Sequence, residues 1–465
     1  MGVPATSPKP RFRVAICGAG IAGLALATVL GKYEQKDSPL EVTIYERQPE
    51  MAVFGAGISV WQRTWRVMQL LGIDDQLARA SERPPVKAIG PGFVYRRADR
   101  TNDTYNYYTV MLPYGSSTMH RADLVQVLLQ NVPQSYSIRM GKRLVSYTEV
   151  VDGYGDTKYY ELQFTDGTTA EADVVIGADG IKSAVRMSMY DAAHRQDCAA
   201  EVDRGHCPRC SAATPKWTGI ITYRALIPTE KLRAIDPEHQ GFRYTLCRRQ
   251  HVVSYPVSHG GFINWIGFKT RPEMEGTIYE GKSAEEAPKE EIWSSSTAGR
   301  KRVHSQCVEK PTRWVINMIS GLPFSVRGRA ALLGDAVHAM ETHLGAGAGQ
   351  SIEDAYILGR LLAHPLTTLD RVHDVLRIYQ SVRLSFANTI FERARETGRM
   401  CEFNWPGQYD GNECLDEREQ LEQLGKSIYR NWQWQWRESF DEQWDVAEWA
   451  IEQFLHVDAQ KVQAE

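Results

Sequence analysis

Cysteine is scarce: eight in 465 residues, at positions 17, 198, 207, 210, 247, 307, 401 and 414. So few cannot build a disulfide framework for a chain of this length, so free thiols in a reducing compartment, the cytoplasm, are expected. Excess charge of one sign is also missing. A net charge of -3 leaves no electrostatic footprint for nucleic acid or an anionic membrane surface. The first ten residues contain no apolar signal core. Gly2 and Thr6 fit a loose myristoylation pattern, but no polybasic patch or second lipid site supports an anchor, so the segment reads as a polar tail. Internal repeats, low-complexity tracts, GxSxG, HExxH and P-loop motifs are all absent. What remains is 43% hydrophobic and 24% charged, which excludes disorder, collagen and coiled coil. The length suggests about three units at roughly 150 residues each.

Long apolar runs are rare. Val14 to Gly31 carries no charge and is long enough to suggest a membrane helix. Gly18, Gly20 and Gly23 interrupt it, after a β-rich Arg13-Val-Ala-Ile-Cys17 and before an alanine- and leucine-rich run. Strand, tight turn and buried helix account for it better, so no integral membrane segment is expected. With a second strand at 41–46, residues 11–46 form a βαβ unit. Helices are predicted over 59–71, 121–130, 350–362 and 370–398, with a Pro-rich break at Arg83-Pro-Pro85. Strands are predicted within 86–113 and over 158–165, 170–177, 217–227, 251–257, 262–268 and 329–334. Residues 191–216 read as loop, 272–302 as a polar stretch, and 415–457 as an amphipathic, Trp-rich tail.

Three motifs carry chemistry. In Gly18-Ala-Gly20-Ile-Ala-Gly23 the small residues let backbone approach a pyrophosphate at a helix N-terminus. Glu46, ending the next strand, is placed to bond a ribose 2′-hydroxyl, which fits FAD or NAD better than NADP. In the second, Ala331-Leu-Leu-Gly334-Asp335 brings an acid to the carboxyl end of a strand. Leu344-Gly345-Ala-Gly347-Ala348-Gly349-Gln350 then opens a helix whose dipole suits a reduced flavin's negative charge. The third is Gly177-Ala-Asp179-Gly180-Ile-Lys-Ser183. His206-Cys207-Pro-Arg-Cys210 with Cys198 hints at metal, but a single C-x-x-C lacks a second pair, so a loop insertion without metal is expected.

Together these motifs resemble the single-component FAD-dependent aromatic hydroxylases of the p-hydroxybenzoate hydroxylase fold, over about residues 11–405. The run from Gly334 to Asp354, with His343 ahead of Gly345, and the stretch from Arg395 to Phe403 are most like the salicylate hydroxylase branch, including its fungal members. The resemblance implies an α/β fold. A Rossmann-like FAD-binding domain would come from 8–80, 114–190 and 311–368. A β-rich substrate domain would be inserted as 81–113 and 191–310, and a helical C-terminal region would span 369–465. It implies that Glu46 and Arg47 meet the adenosine of FAD, that the Gly55-Ala-Gly57-Ile58 turn lies near the flavin, and that Arg121 pairs with the pyrophosphate. Asp179 would serve FAD and, transiently, NAD(P)H. Asp335 would bond the ribityl chain, and Gly345, Gly347, Ala348 and Gly349 would line the isoalloxazine. Thr342 stands where the family often has Pro, Glu341 is an unexpected charge, and Trp61-Gln62-Arg63 replaces a frequent Pro-Asn.

No side chain activates dioxygen alone, so a flavin must carry that step, through a C4a-hydroperoxide that an electron-rich ring attacks. A phenolate is far richer than a phenol, so the site must lower the phenol pKa or deprotonate it. Arg224 is suited to pair with a phenolate or carboxylate, and Tyr255 to hydrogen-bond the same oxygen. The resemblance matches that pair to one used by fungal dearomatising hydroxylases, and His343 to a substrate-side histidine of salicylate hydroxylases that takes the proton. Against these stand plainer roles: a strand-edge ion pair, a core tyrosine and a loop cap.

The expected reaction is hydroxylation of a hydroxybenzoate using NAD(P)H and O2. If oxygen enters at the carboxyl-bearing carbon, carbon dioxide leaves and a diol forms. Two alternatives stay open: a hydroxylase or dearomatase of a larger phenol, and a flavin-binding interaction protein without catalysis. Substrate-stimulated NAD(P)H consumption separates the last. A plain NAD dehydrogenase needs no Gly-Asp loop. Trp432, Trp434, Trp436, Trp444 and Trp449 suit a hydrophobic cover or a homodimer face, with ordinary helix packing the expected account.

Overall fold

The computed structural model describes residues 9–51, 57–81, 87–97, 105–114, 117–235, 237, 242–247, 250–282, 284–288, 307–319, 321–412 and 414–462. Gly2, Thr6, Gly55, Ala56, the Arg83-Pro-Pro85 break and most of the polar stretch after 288 lie outside them.

The uncharged run from Val14 folds as strand, turn and helix. Arg13–Cys17 is a central strand of a six-stranded sheet in the order 326–327, 330–332, 174–177, 13–17, 41–45, 137–139. Neighbours run parallel except at the 326–327 edge. Ile16 lies between Ile44 and Ile176, and all three are fully buried. Continuous apolar strands are what helix cover on both faces requires. The helix Ile21–Tyr33 packs on Gly347–Ala363. There a β-carbon on Gly359 would stand 2.6 Å from Val29. The glycine motif and Asp179 follow the carboxyl ends of adjacent strands, where open α/β sheets bind ligands. Among the described residues no helix is long and apolar enough to cross a membrane.

An eight-stranded sheet runs in the order 284–286, 312–318, 216–228, 262–270, 250–257, 242–247, 87–97, 106–114. It is antiparallel except where Phe242–Cys247 joins Lys87–Arg97. Register decides which side chains meet. Arg224 and Val253 both stand opposite Ile266. Directly opposed residues share a face, and so do residues two apart on one strand. Arg224, Ile266, Val253, Tyr255, Phe268, His251 and Tyr244 therefore share one face. This mixed α/β architecture, with a helical C-terminal region, is the expected fold class.

Three local expectations are corrected. Gly57–Val60 is a short strand paired with Ser117–His120, and the helix begins only at Gln62. The hairpin at Asp166-Gly167 ends at Ala172, and Val174–Gly177 crosses into the parallel sheet. Residues 191–197 belong to the helix Ala184–Asp197 instead of a loop. The tail forms Glu417–Trp432, Trp434–Arg437 and Asp441–Val462. Trp432, Trp434, Trp436 and Trp444 are buried, while Trp449 is exposed.

Candidate active site

Two cavities open at the two glycine clusters. The first, about 320 Å³, is lined by Gly18, Gly20, Glu46, Arg47, Arg121 and Asp179 among others. Gly18 has φ of 110°, and a β-carbon there would meet the Ala178 carbonyl oxygen at 2.4 Å. Gly23 is equally constrained, with Gly18 O 2.0 Å from a β-carbon. Gly20 has no neighbour within 4 Å of that position, so its open side faces the cavity. No side chain caps the helix it precedes. Glu46 is braced by N–H donors from Ala19 and Gln48, at 2.8 and 2.9 Å. Arg121 opens the helix Arg121–Gln130. Asp179 Oδ2 accepts from the N–H groups of Ala184 and Val185, at 2.7 and 3.2 Å. Its Oδ1 is buried with no partner among the described residues. Burial raises the Asp179 pKa.

Asp335 lies outside both cavities, exposed at the start of the helix Asp335–His338. A buried ion network fixes the turn before it. Asp354 accepts from the Gly334 N–H (3.0 Å), His338 Nε2 (2.6 Å) and Arg383 Nε (2.8 Å). Glu353 receives Arg63 and Arg383, each at 3.2 Å. Despite burial, which alone would raise it, the contacts with His338 and Arg383 hold the Asp354 carboxyl below the usual range. None of these partners was expected from sequence. A signal existed, because two adjacent acids sit inside the 350–362 helix, whose other residues are mostly apolar.

The second cavity, about 190 Å³, brings together Arg224, Tyr255 and His343 with Gly57, Gly345, Gly347 and Ala348. Phe93, Tyr244, Phe268, Trp61 and Trp432 supply aromatic walls. Gly349 stands apart, where a β-carbon would press on Thr64 Oγ1 at 2.6 Å, so it serves helix packing. Gly347 is open like Gly20, and Gly345 adopts φ of 54°. The Arg224 guanidinium lies 5.3 Å from the Trp314 ring centre, and its Nε has no partner among the described residues. Burial lowers its pKa, opposed by Tyr255. The Tyr255 hydroxyl donates to Gly57 O at 3.0 Å. Burial raises its pKa, opposed first by Arg224.

His343 is buried in the turn Thr342–Leu344. Glu341 Oε2 stands 3.1 Å from its Nδ1, which gives the unexpected acid a partner. The ring centres of His251 and Phe268 are each 5.0 Å from that of His343. His251 stacks on Phe268 and reaches Glu402 at 3.2 Å. Gly398 packs edge-on, with a β-carbon position 2.3 Å from His343 Cε1. His251 was missed, Gly398 and Glu402 were noted only as part of the 395–403 stretch, and Trp432 only as a hydrophobic cover, a homodimer face or helix packing. Each is a single residue in a distant segment, with no local motif to mark it.

A model of the FAD binding domain family matches residues 11–200 and 285–394. A salicylate hydroxylase of Pseudomonas putida is 30% identical over 455 residues, covering 95% of both chains. The 6-methylsalicylate 1-monooxygenase of Aspergillus terreus is 32% identical over 402 residues, covering 85% of this chain and 84% of its own. A solved salicylate hydroxylase substrate complex superposes with a TM-score of 0.76 at 28% identity, covering 95% of this chain and 98% of that one. The chain belongs to the FAD-dependent aromatic hydroxylases.

The residues of this aromatic hydroxylase fit the cofactor. Each glycine cluster offers an uncapped helix start beside a glycine with open space at its β-carbon position. Asp179 Oδ1 is a buried acceptor still without a donor, suited to a ribose hydroxyl. Glu46, Arg47 and Arg121 would hold the adenosine and pyrophosphate end. Gly57 and Gly345 to Ala348 would hold the ring end, where Arg224, Tyr255 and His343 also converge.

Proposed function

We propose that the hydroxylase acts on a one-ring hydroxybenzoate of the salicylate type, placing oxygen at the carboxyl-bearing carbon with loss of carbon dioxide. The observation that carries this reading is the convergence of Arg224, Tyr255 and His343 in one aromatic-walled cavity with Gly345, Gly347 and Ala348. A bound FAD would supply the redox chemistry, taking a hydride from NAD(P)H and passing one atom of O2 to the ring.

The protein's part is binding, orientation and proton transfer. Arg224, whose Nε has no partner among the described residues, pairs with the substrate carboxylate. Tyr255, whose hydroxyl donates to Gly57 O, lines the cavity beside Arg224 and helps orient the ring. His343, backed by Glu341, takes the phenolic proton and makes the ring electron-rich. Phe93, Phe268 and Trp432 exclude water. Two relatives named for salicylate or 6-methylsalicylate support the substrate class.

The test is a panel of hydroxybenzoates, following NADH and NADPH oxidation together with product mass. The expected result is substrate-stimulated oxidation, strongest for ortho-hydroxybenzoates, with a product that has lost carbon dioxide and gained one oxygen. No stimulation by any hydroxybenzoate would refute the substrate class. A product that retains its carboxyl would refute decarboxylation.

A further inference from the structure

A second cluster of chemistry-bearing side chains lies where the helix Ala184–Asp197 gives way to residues 198–216. His194, Cys198, Cys207 and Cys210 bring one donor atom each within 4.8 Å of every other. We propose that these four residues form a tetrahedral site for a structural zinc ion.

The sulfur spacing fits a metal and does not fit a disulfide. Cys198 Sγ is 3.7 Å from Cys210 Sγ and 3.8 Å from Cys207 Sγ. A disulfide needs about 2.05 Å. Two thiolates bound to one zinc at about 2.3 Å, separated by the tetrahedral angle, stand about 3.8 Å apart. The histidine is set up for coordination. His194 Nε2 lies 2.7 Å from the Val202 carbonyl oxygen. A carbonyl only accepts, so Nε2 carries the proton and Nδ1 keeps its lone pair. That Nδ1 is buried and has no partner among the described residues. Metal-bound histidines are oriented in this way, with the far nitrogen donating to a carbonyl or carboxylate.

Three thiolates and one imidazole around a single ion select zinc among the common metals. His206, adjacent to the C-x-x-C in sequence, is not the ligand. Its side chain is 88% exposed and pairs with Asp203. The true histidine precedes Cys198 by four residues, one helical turn.

The ion would act as a staple. It ties the end of the helix Ala184–Asp197 to the segment that leads into Lys216–Pro228, the strand bearing Arg224. That segment also seats Arg186, whose buried guanidinium donates to Ala213 O (2.9 Å) and Ala336 O (2.8 Å), one residue beyond Asp335. The staple therefore joins the helix after the Asp179 motif, the Gly334-Asp335 turn and the substrate sheet.

Metal analysis of untagged holoenzyme, purified without chelator, tests the site. The expected result is one zinc per chain that survives desalting and is released when a mercurial titrates the thiols. Expression in cobalt-supplemented medium should give tetrahedral cobalt bands in the red, where oxidised flavin is transparent. Cys207→Ser and His194→Ala should lose the metal, whereas His206→Ala should keep it. Zinc-free protein that still binds none after supplementation under reducing conditions would overturn the proposal. So would a native Cys198–Cys210 disulfide, or equal zinc content in Cys207→Ser. If the variants fail to fold, wild-type metal content and the cobalt spectrum remain decisive.

Discussion

Gly398→Ala probes His343 without touching it chemically. Gly398 sits inside the helix Val372–Cys401, where a β-carbon would stand 2.3 Å from His343 Cε1 and 2.4 Å from Nδ1. Carbon contacts become comfortable near 3.5 Å, so the imidazole must retreat by about 1 Å. His251 and Phe268 flank the ring, each at 5.0 Å between centres, so the retreat displaces the base from its place in the cavity. A misplacement of about 1 Å costs roughly 100-fold in rate. Stability changes less. Helix propensity gains about 0.5–1 kcal/mol, set against about 1–3 kcal/mol for overpacking. The assay is kcat and KM for the best hydroxybenzoate, alongside flavin content and a thermal melt. The expected outcome is a fall of about 100-fold in kcat/KM with full flavin content. The pH dependence of kcat/KM should change as well, because the base is no longer held at the phenolic proton. Unchanged kcat/KM would refute the role given to His343. A loss with an unaltered pH profile would reduce Gly398 to a packing residue.

Arg224→Ala should raise KM by about 10- to 100-fold, the loss of a charge-assisted hydrogen bond, while flavin stays bound; unchanged steady-state kinetics would remove Arg224 from the site. Gly20→Ala should fold normally and lose FAD affinity, because only cavity surrounds the new methyl, whereas Gly23→Ala should destabilise the apoprotein by striking Gly18 O; flavin absorbance and melting curves separate the two, and equal flavin retention in Gly20→Ala would contradict the placement. Arg383→Met leaves Glu353 and Asp354 buried without their shared cation and should cost about 3–5 kcal/mol in urea unfolding; a change within error would show that Arg63 and His338 suffice. Burial, and next the neighbouring His343, hold the His251 pKa well below its usual value. The unfolded chain then gains a proton that the folded chain refuses as pH falls below about 6.5, so stability declines on the acid side. His251→Phe should flatten that decline, and an unchanged slope of unfolding free energy against pH would count against a neutral, buried His251.

The cofactor half was legible because its signals are local. Strand, Gly18, Gly20, Gly23, helix and Glu46 fall within one βαβ unit, and each residue's role follows from its immediate neighbours. Arg224, Tyr255 and His343 were legible only through resemblance, since nothing within a few residues of any of them points to a shared cavity. What joins them is register. Arg224 and Val253 meet across Ile266, and Tyr255 follows on the same face. A slip of one residue in either pairing would turn Arg224 or Tyr255 to the opposite face of the sheet. The buried charges were illegible for a related reason. Glu341 looked like a misplaced acid until folding set it beside His343, and His251 and Glu402 meet across 151 residues. His194 shows the opposite case. Its four-residue spacing from Cys198 is readable, but the hint of metal in the sequence rested on His206, next to the C-x-x-C, and a loop without metal was expected. Proximity along the chain ranks candidates poorly when a helix brings its fourth residue back to the same face.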